Sequence, residues 1–138
     1  MIVFADSSAY IAYYNKRDKN HNKALSFVKK IRDRDFGPVI IYTSDYVFDE
    51  VITAILILTK NKDLAIKIGE SIKASKITKI IKVDEEVFQK AWETFKEYKD
   101  KLWSFTDCTS FAIMEKMNIK TAFTFDKHYN QAGFNTIP

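Results

Sequence analysis

Met1-Ile2-Val3-Phe4-Ala5-Asp6-Ser7-Ser8-Ala9-Tyr10-Ile11-Ala12 opens the chain, and this stretch decides the fold. A short apolar run that meets an acid and then two hydroxyl residues reads as a buried strand over residues 1–5. That strand hands over directly to a helix over Ser7 to Asn15, opened by N-cap candidates. The same pattern returns further on. Val39-Ile40-Ile41-Tyr42 follows Gly37-Pro38 as a β-branched buried strand does, and Ser44 or Asp45 can cap a helix running to about Lys60.

Between and beyond these units the period stays helical or extended in turn. Leu25, Val28 and Ile31 repeat at three-residue spacing in a helix over Asn22 to Arg34. Asp63 to Ser75 reads as a helix and Ile77 to Val83 as a strand. Asp84 caps a helix that carries Val87, Phe88, Ala91, Trp92, Phe95 and Tyr98, a spacing that suits a core face. A helix over Asp107 to Met117, a strand over Thr121 to Phe125 and an extended piece near Asn135 to Pro138 complete the chain. Strands that alternate with helices argue for an α/β fold, a three-layer α/β/α arrangement around a central parallel sheet. With 138 residues and no repeat or Pro/Ser linker, one domain over residues 1–138 is expected.

Composition narrows the class. At 46% hydrophobic and 14% aromatic residues the chain can bury enough surface to offset its conformational entropy. Three glycines and two prolines are too few for the many turns of an all-β sandwich. The lone Cys108 forms no internal disulfide, and the start lacks the basic segment of a signal peptide, so a reducing, cytoplasmic setting is expected. Val51 to Leu58, the longest apolar span, is far below the roughly 18 residues that cross a bilayer, so no membrane partner is expected.

Charge is distributed unevenly. Residues 16–34 carry eight bases against Asp18 and Asp33, and residues 60–82 carry seven lysines against Asp63 and Glu70. These segments are +6 and +5 in a chain whose total is +4, so the remainder is −7. Basic stretches beside an acidic remainder suit a polyanion held next to a site that needs carboxylates, although a Lys-rich helix face is also what solvation alone produces.

In a parallel sheet covered by helices, ligands bind outside the carboxyl ends of the strands. The residues there are acids. Asp6 ends the first strand, Asp126 follows Thr121-Ala122-Phe123-Thr124-Phe125, and Asp107 opens a helix after Trp103-Ser104-Phe105-Thr106. Glu50 lies in the early turns of a helix whose continuation, Val51-Ile52-Thr53-Ala54-Ile55-Leu56-Ile57-Leu58, is almost wholly apolar. Its i±4 neighbours are Tyr46 and Ala54, so no base is in helical reach. Each Asp taken singly is explained by helix capping. Four acids converging on one sheet edge are better explained by a cation.

At these residues the chain resembles the PIN-domain family, and within it the VapC-type toxin nucleases of prokaryotic toxin–antitoxin pairs. The resemblance rests on Asp6-Ser7-Ser8-Ala9-Tyr10-Ile11-Ala12, Glu50 within Ser44 to Val51, Thr106-Asp107 with Ala112, and Thr124-Phe125-Asp126-Lys127-His128-Tyr129. It covers nearly the whole chain. Tyr129 stands where the family more often has Phe, and Cys108 follows Asp107 where Ala is usual. What the resemblance implies is a parallel sheet between helices and an endoribonuclease working with Mg²⁺ or Mn²⁺. Asp6, Asp107 and Asp126 would then be metal ligands, and Glu50 a ligand through water or the group orienting the attacking water. Ser7 and Thr124 would support a carboxylate or a metal-bound water. It further implies an RNA substrate, a cognate antitoxin and a homodimer, with Tyr10-Ile11-Tyr13-Tyr14 and Val47-Phe48 as contact or core residues. The chemistry is consistent, because hard divalent cations take oxygen ligands and leave positions open for phosphate oxygens.

Other readings compete. An aspartyl-phosphate phosphatase needs a second Asp two residues after the first, where Ser8 stands. A PIN-type RNA-processing nuclease outside a toxin pair has the same acids. A non-catalytic RNA- or protein-binding module would use the basic stretches, but its acids would repel phosphate. His21 sits at a polar helix entry and His128 in what reads as a surface turn, so neither is expected to act in catalysis, and nothing in sequence activates Cys108 as a nucleophile. No glycine-rich loop offers a phosphate cradle.

Overall fold

Val3, Phe4 and Ala5 are buried because β1 (Ile2–Ala5) is the middle strand of the sheet. The protein, in a computed structural model that describes residues 1–138, has five parallel strands in the order β3-β2-β1-β4-β5. These are β2 (Ile40–Ser44), β3 (Thr78–Ile81), β4 (Thr121–Phe123) and β5 (Asn135–Ile137). Ile2 pairs with Ile40 on one side of β1, and Phe4 pairs with Ala122 on the other.

The chain winds from β1 toward β2 and β3, then returns to lay β4 and β5 on the opposite side. The crevice between the carboxyl ends of β1 and β4 is therefore the topological switch point, where a parallel sheet offers an opening.

The two-residue period of β1 divides its side chains between two cores. Phe4 joins Val47, Val51 and Ile55 of α3 (Asp45–Thr59), with Ile68 of α4 (Lys62–Ala74), Val87 of α5 (Glu85–Glu97) and Phe111 and Met114 of α6 (Phe105–Lys116). Val3 and Ala5 face the other way. They meet Ala9 and Ala12 of α1 (Ser7–Tyr14), and Ala24, Phe27 and Ile31 of α2 (His21–Arg32). Alternation on a strand buried on both faces thus generates the three layers expected from the sequence. No helix is long and apolar enough to cross a membrane.

Several local boundaries differ from the sequence reading, each for a hydrogen-bonding reason. Strand β4 stops at Phe123 rather than Phe125, because the Thr124 hydroxyl accepts the Asp126 N–H at 2.9 Å and turns the chain. Helix α6 begins at Phe105, not Asp107: Ser104 is its N-cap and Asp107 the third residue of a capping box. A one-turn helix α7 (His128–Gln131) follows Asp126, whose Oδ1 accepts the His128 N–H at 2.9 Å.

Side-chain placement brings larger corrections. Trp92 and Phe95, spaced like core residues, are each 43% exposed, and with Phe88 and Tyr98 they form an open aromatic face on α5. Val47 is fully buried, and Tyr10, Tyr14 and Phe48 pack against the core, so of the contact and core roles open to these segments they take the core one. The basic stretches lie on α2, on α4 and on β3. Exposed Lys79 on β3 also has a plainer role, since a charged side chain on an edge strand discourages pairing with another sheet.

Candidate active site

Asp6 is held by three elements at once. It follows β1 and caps α1, its Oδ1 accepting the Ala9 N–H at 3.1 Å and the Ser8 hydroxyl at 2.8 Å. Its Oδ2 accepts the Thr124 hydroxyl at 2.8 Å from the far side of the crevice. The two hydroxyls are themselves oriented by the turn after β4, because Ser8 Oγ accepts the Phe125 N–H and Thr124 Oγ1 the Asp126 N–H, both at 2.9 Å. Capping and site formation are therefore not alternatives for this residue. One carboxylate performs both.

Asp107 shows the same economy. Its Oδ2 accepts the Ser104 N–H at 3.1 Å in the capping box and lies 3.0 Å from His128 Nδ1. Its other oxygen meets no protein donor and is available to a ligand. Asp126 uses Oδ1 for the His128 N–H and for the ring at 3.3 Å, leaving Oδ2 without a protein donor. Glu50, half-buried on α3, is held by the Ser7 hydroxyl, which donates to its Oε1.

The electrostatics follow from burial among like charges. Burial raises Asp6 from 3.8 to about 7, against the hydrogen bonds of Ser8, Thr124 and Ala9 and together with repulsion from Asp126. Glu50 is raised first by burial, against the Ser7 hydroxyl, and further by the charges of Asp107 and Asp126. Asp107 is raised by burial and by Asp126, with the Ser104 N–H and His128 opposing. No Lys or Arg lies within 4.0 Å of any of the four carboxylates; His128 is the only base among them. Four mutually repelling acids, two of them buried and with no Lys or Arg partner, are costly unless a cation joins them.

The structure thus brings Asp6, Glu50, Asp107 and Asp126 together with Ser7 and Thr124. It adds two residues the sequence reading set aside. Ser8 is part of the Asp6 cradle, and the ring of His128 stands between two acids instead of in open solvent, with its side chain 22% exposed. Their positions two residues from Asp6 and Asp126 were the available signal, since that spacing allows a polar side chain to turn back onto the acid.

Residues 3–135 match the sequence model of the PIN domain, and the chain belongs to the PIN-domain family. The chain is 29% identical over 133 residues to the 23S rRNA-specific endonuclease VapC20 of Mycobacterium tuberculosis, a match covering 96% of this chain and 95% of that protein. The crystal structure of VapC20, described as a sarcin–ricin loop cleaving toxin, superposes with a TM-score of 0.85 over 97% of this chain and 96% of that one, at 28% identity. A VapC ribonuclease of Archaeoglobus fulgidus is 27% identical over 132 residues, 94% of this chain and 80% of that protein. VapBC2 from Rickettsia felis, crystallised with a fragment of promoter DNA, shares the fold with a TM-score of 0.72 at 14% identity.

Proposed function

We propose that this chain is a VapC-type endoribonuclease, a single nuclease domain over residues 1–138. It hydrolyses RNA phosphodiester bonds with Mg²⁺ or Mn²⁺ at Asp6, Glu50, Asp107 and Asp126. The observation that carries the reading is four carboxylates at the β1/β4 switch point with no Lys or Arg beside them. The donor set fits a hard divalent cation: Asp107 and Asp126 each keep an oxygen free of protein donors, and Asp6 retains lone pairs beyond its three hydrogen bonds.

A divalent cation bound there would act as a Lewis acid on the phosphodiester and offset the charge it gains in the transition state. The chain's own groups supply orientation and proton transfer. Ser8 and Thr124 fix the Asp6 carboxylate, and the capping box fixes Asp107. Glu50, raised by burial and held by Ser7, is the group suited to orient water and accept its proton, because a carboxylate closer to neutrality is the stronger base. Since the relatives are named as VapC nucleases, the protein is read as the toxin of a pair, acting in the cytoplasm as a homodimer and silenced by an antitoxin. The open aromatic face of α5 is the surface with the apolar character such contacts need.

The direct test incubates purified protein with a mixed RNA pool. Cleavage in millimolar Mg²⁺ or Mn²⁺ that stops on chelation and returns when metal is restored is the expected result. RNA left intact with either ion, or cut equally well in chelator, would overturn the reading.

Substrate binding gives a separate prediction. Lys29, Lys30 and Arg32 are exposed on α2, where Lys29 pairs with Asp33 at 2.5 Å and Arg32 donates to the Tyr13 hydroxyl. If they meet phosphates, affinity falls steeply with salt as counterions are released, and replacing all three by Gln flattens the slope by about two to three units. An unchanged slope would mean that α2 only presents a solvated face.

A further inference from the structure

His128 is not one of the four acids, yet its ring is built into their cluster. Nδ1 stands 3.0 Å from Asp107 Oδ2 and 3.3 Å from Asp126 Oδ1, and one donor atom from each of the three residues lies within 4.8 Å of the other two. We propose that Asp107, Asp126 and His128 form a nitrogen-containing cation subsite, in which His128 Nδ1 is a direct ligand and selects a transition-metal ion such as Mn²⁺ over Mg²⁺. This rests on the reading of the acid cluster as a metal centre.

Two observations support the placement. The ring is held locally, because the His128 N–H is tied to Asp126 and the next residue, Tyr129, is fully buried. Imidazole and carboxylate therefore face each other by the geometry of one turn. Neighbouring ligands on an octahedron with bonds of about 2.1 Å stand about 3 Å apart, and the Nδ1 distances to the two carboxylates are already close to that. A cation entering among these atoms needs only small side-chain shifts. Without metal, Nδ1–H donates to Asp107. With metal, the proton resides on Nε2, and the Nδ1 lone pair faces the ion.

The donor chemistry then dictates the preference. Mg²⁺ holds oxygen ligands and waters, whereas imidazole is a ligand for first-row transition ions, of which Mn²⁺ is the member nearest Mg²⁺ in its preference for oxygen. Carboxylates serve both ions, so a loss confined to Mn²⁺ when the imidazole is removed is what marks the nitrogen ligand. The other possible role of the ring is to orient Asp107 by hydrogen bonding, as imidazoles and carboxylates do around metals elsewhere, and the two roles respond differently to substitution.

The experiment uses metal-free full-length protein without RNA, loaded with Mn²⁺ or Mg²⁺. Pulsed electron paramagnetic resonance of the Mn²⁺ form is expected to show nitrogen coupling from a coordinated imidazole, absent in His128→Ala. Thermal-shift titration is expected to give a Mn²⁺ midpoint at least tenfold below that of Mg²⁺. His128→Ala should weaken Mn²⁺ about tenfold and leave Mg²⁺ within twofold. His128→Asn keeps an N–H donor but has no nitrogen lone pair, so it should behave like His128→Ala. No nitrogen coupling in the wild type, or equal loss of both ions in His128→Ala with rescue by His128→Asn, would overturn the proposal. Nitrogen coupling in a protein that cuts no RNA would support the subsite and overturn the nuclease reading, so the two fail separately.

Discussion

Asp6→Asn and Asp107→Asn are each expected to lower the rate of RNA cleavage by about three orders of magnitude or more, with the fold retained. Asn matches Asp in size and keeps one oxygen. In Asp6→Asn that oxygen can still cap α1 by accepting from Ala9 and Ser8, and the Thr124 hydroxyl can rotate to accept from the new amide. In Asp107→Asn it can still accept the Ser104 N–H of the capping box. Each variant loses the negative charge, and with it the attraction for a divalent cation at the β1/β4 crevice. The fall should appear in kcat, at saturating RNA, while circular dichroism and melting stay cooperative. Folded Asp6→Asn protein that cuts RNA at the wild-type rate would remove Asp6 from the site.

In chelator above pH 7, Asp6→Asn is expected to be more stable than the wild type by about 2 kcal/mol. Asp6 is 3% exposed, and burial raises it from 3.8 to about 7. The folded state therefore binds a proton that the unfolded chain has released. This contribution to stability is fully present below about pH 4 and disappears as pH rises through about 7. Glu50 and Asp107 are shifted in the same direction and add to the decline. A shift of this size corresponds to about 4 kcal/mol, of which the variant regains part, because it gives up hydrogen bonds to a charged acceptor. The two stabilities should thus cross between about pH 4 and 7, with the wild type ahead by about 2 kcal/mol near pH 4, where the protonated acid keeps its place, and the variant ahead toward pH 8. Millimolar Mn²⁺ should reverse their order by raising the wild-type melting temperature several degrees, since it binds the native state alone. Wild-type stability that is flat from pH 4 to 8 in chelator and indifferent to Mn²⁺ would show that the carboxylates are not packed as described.

These outcomes depend on which features of the chain are local and which are not. Met1 to Ala12 specified strand, turn and helix without help, because a strand's two-residue period and a helix cap are decided within about four residues of sequence. The same holds for Asp84 before α5, which caps as its spacing indicates, and for the α3 cap, where the sequence offers Ser44 or Asp45 and Ser44 takes the place. Alternation of these units led to the parallel sheet, and the acids at strand ends led to the crevice. Even so, sequence presented capping and metal binding as rivals for Asp6 and Asp107. Only the folded chain shows one oxygen of Asp107 spent on the cap and the other left open.

Contacts across the chain were not legible. His128 reaches Asp107 over 21 residues because the first turn of α6 packs beside the turn after β4, and Thr124 reaches Asp6 over 118 because β4 lies next to β1. Nothing in the period of either segment encodes that adjacency. Trp92 and Phe95 repeat at core spacing but remain open, since the covered stripe of α5 centres on Val87 and Ala91. Residue identity and spacing determined the elements, the capping residues and the inventory of acids. Packing of the layers decided which acid meets which hydroxyl or imidazole, because hydrogen-bond geometry and charge repulsion act over a few ångströms of space whatever the distance along the chain.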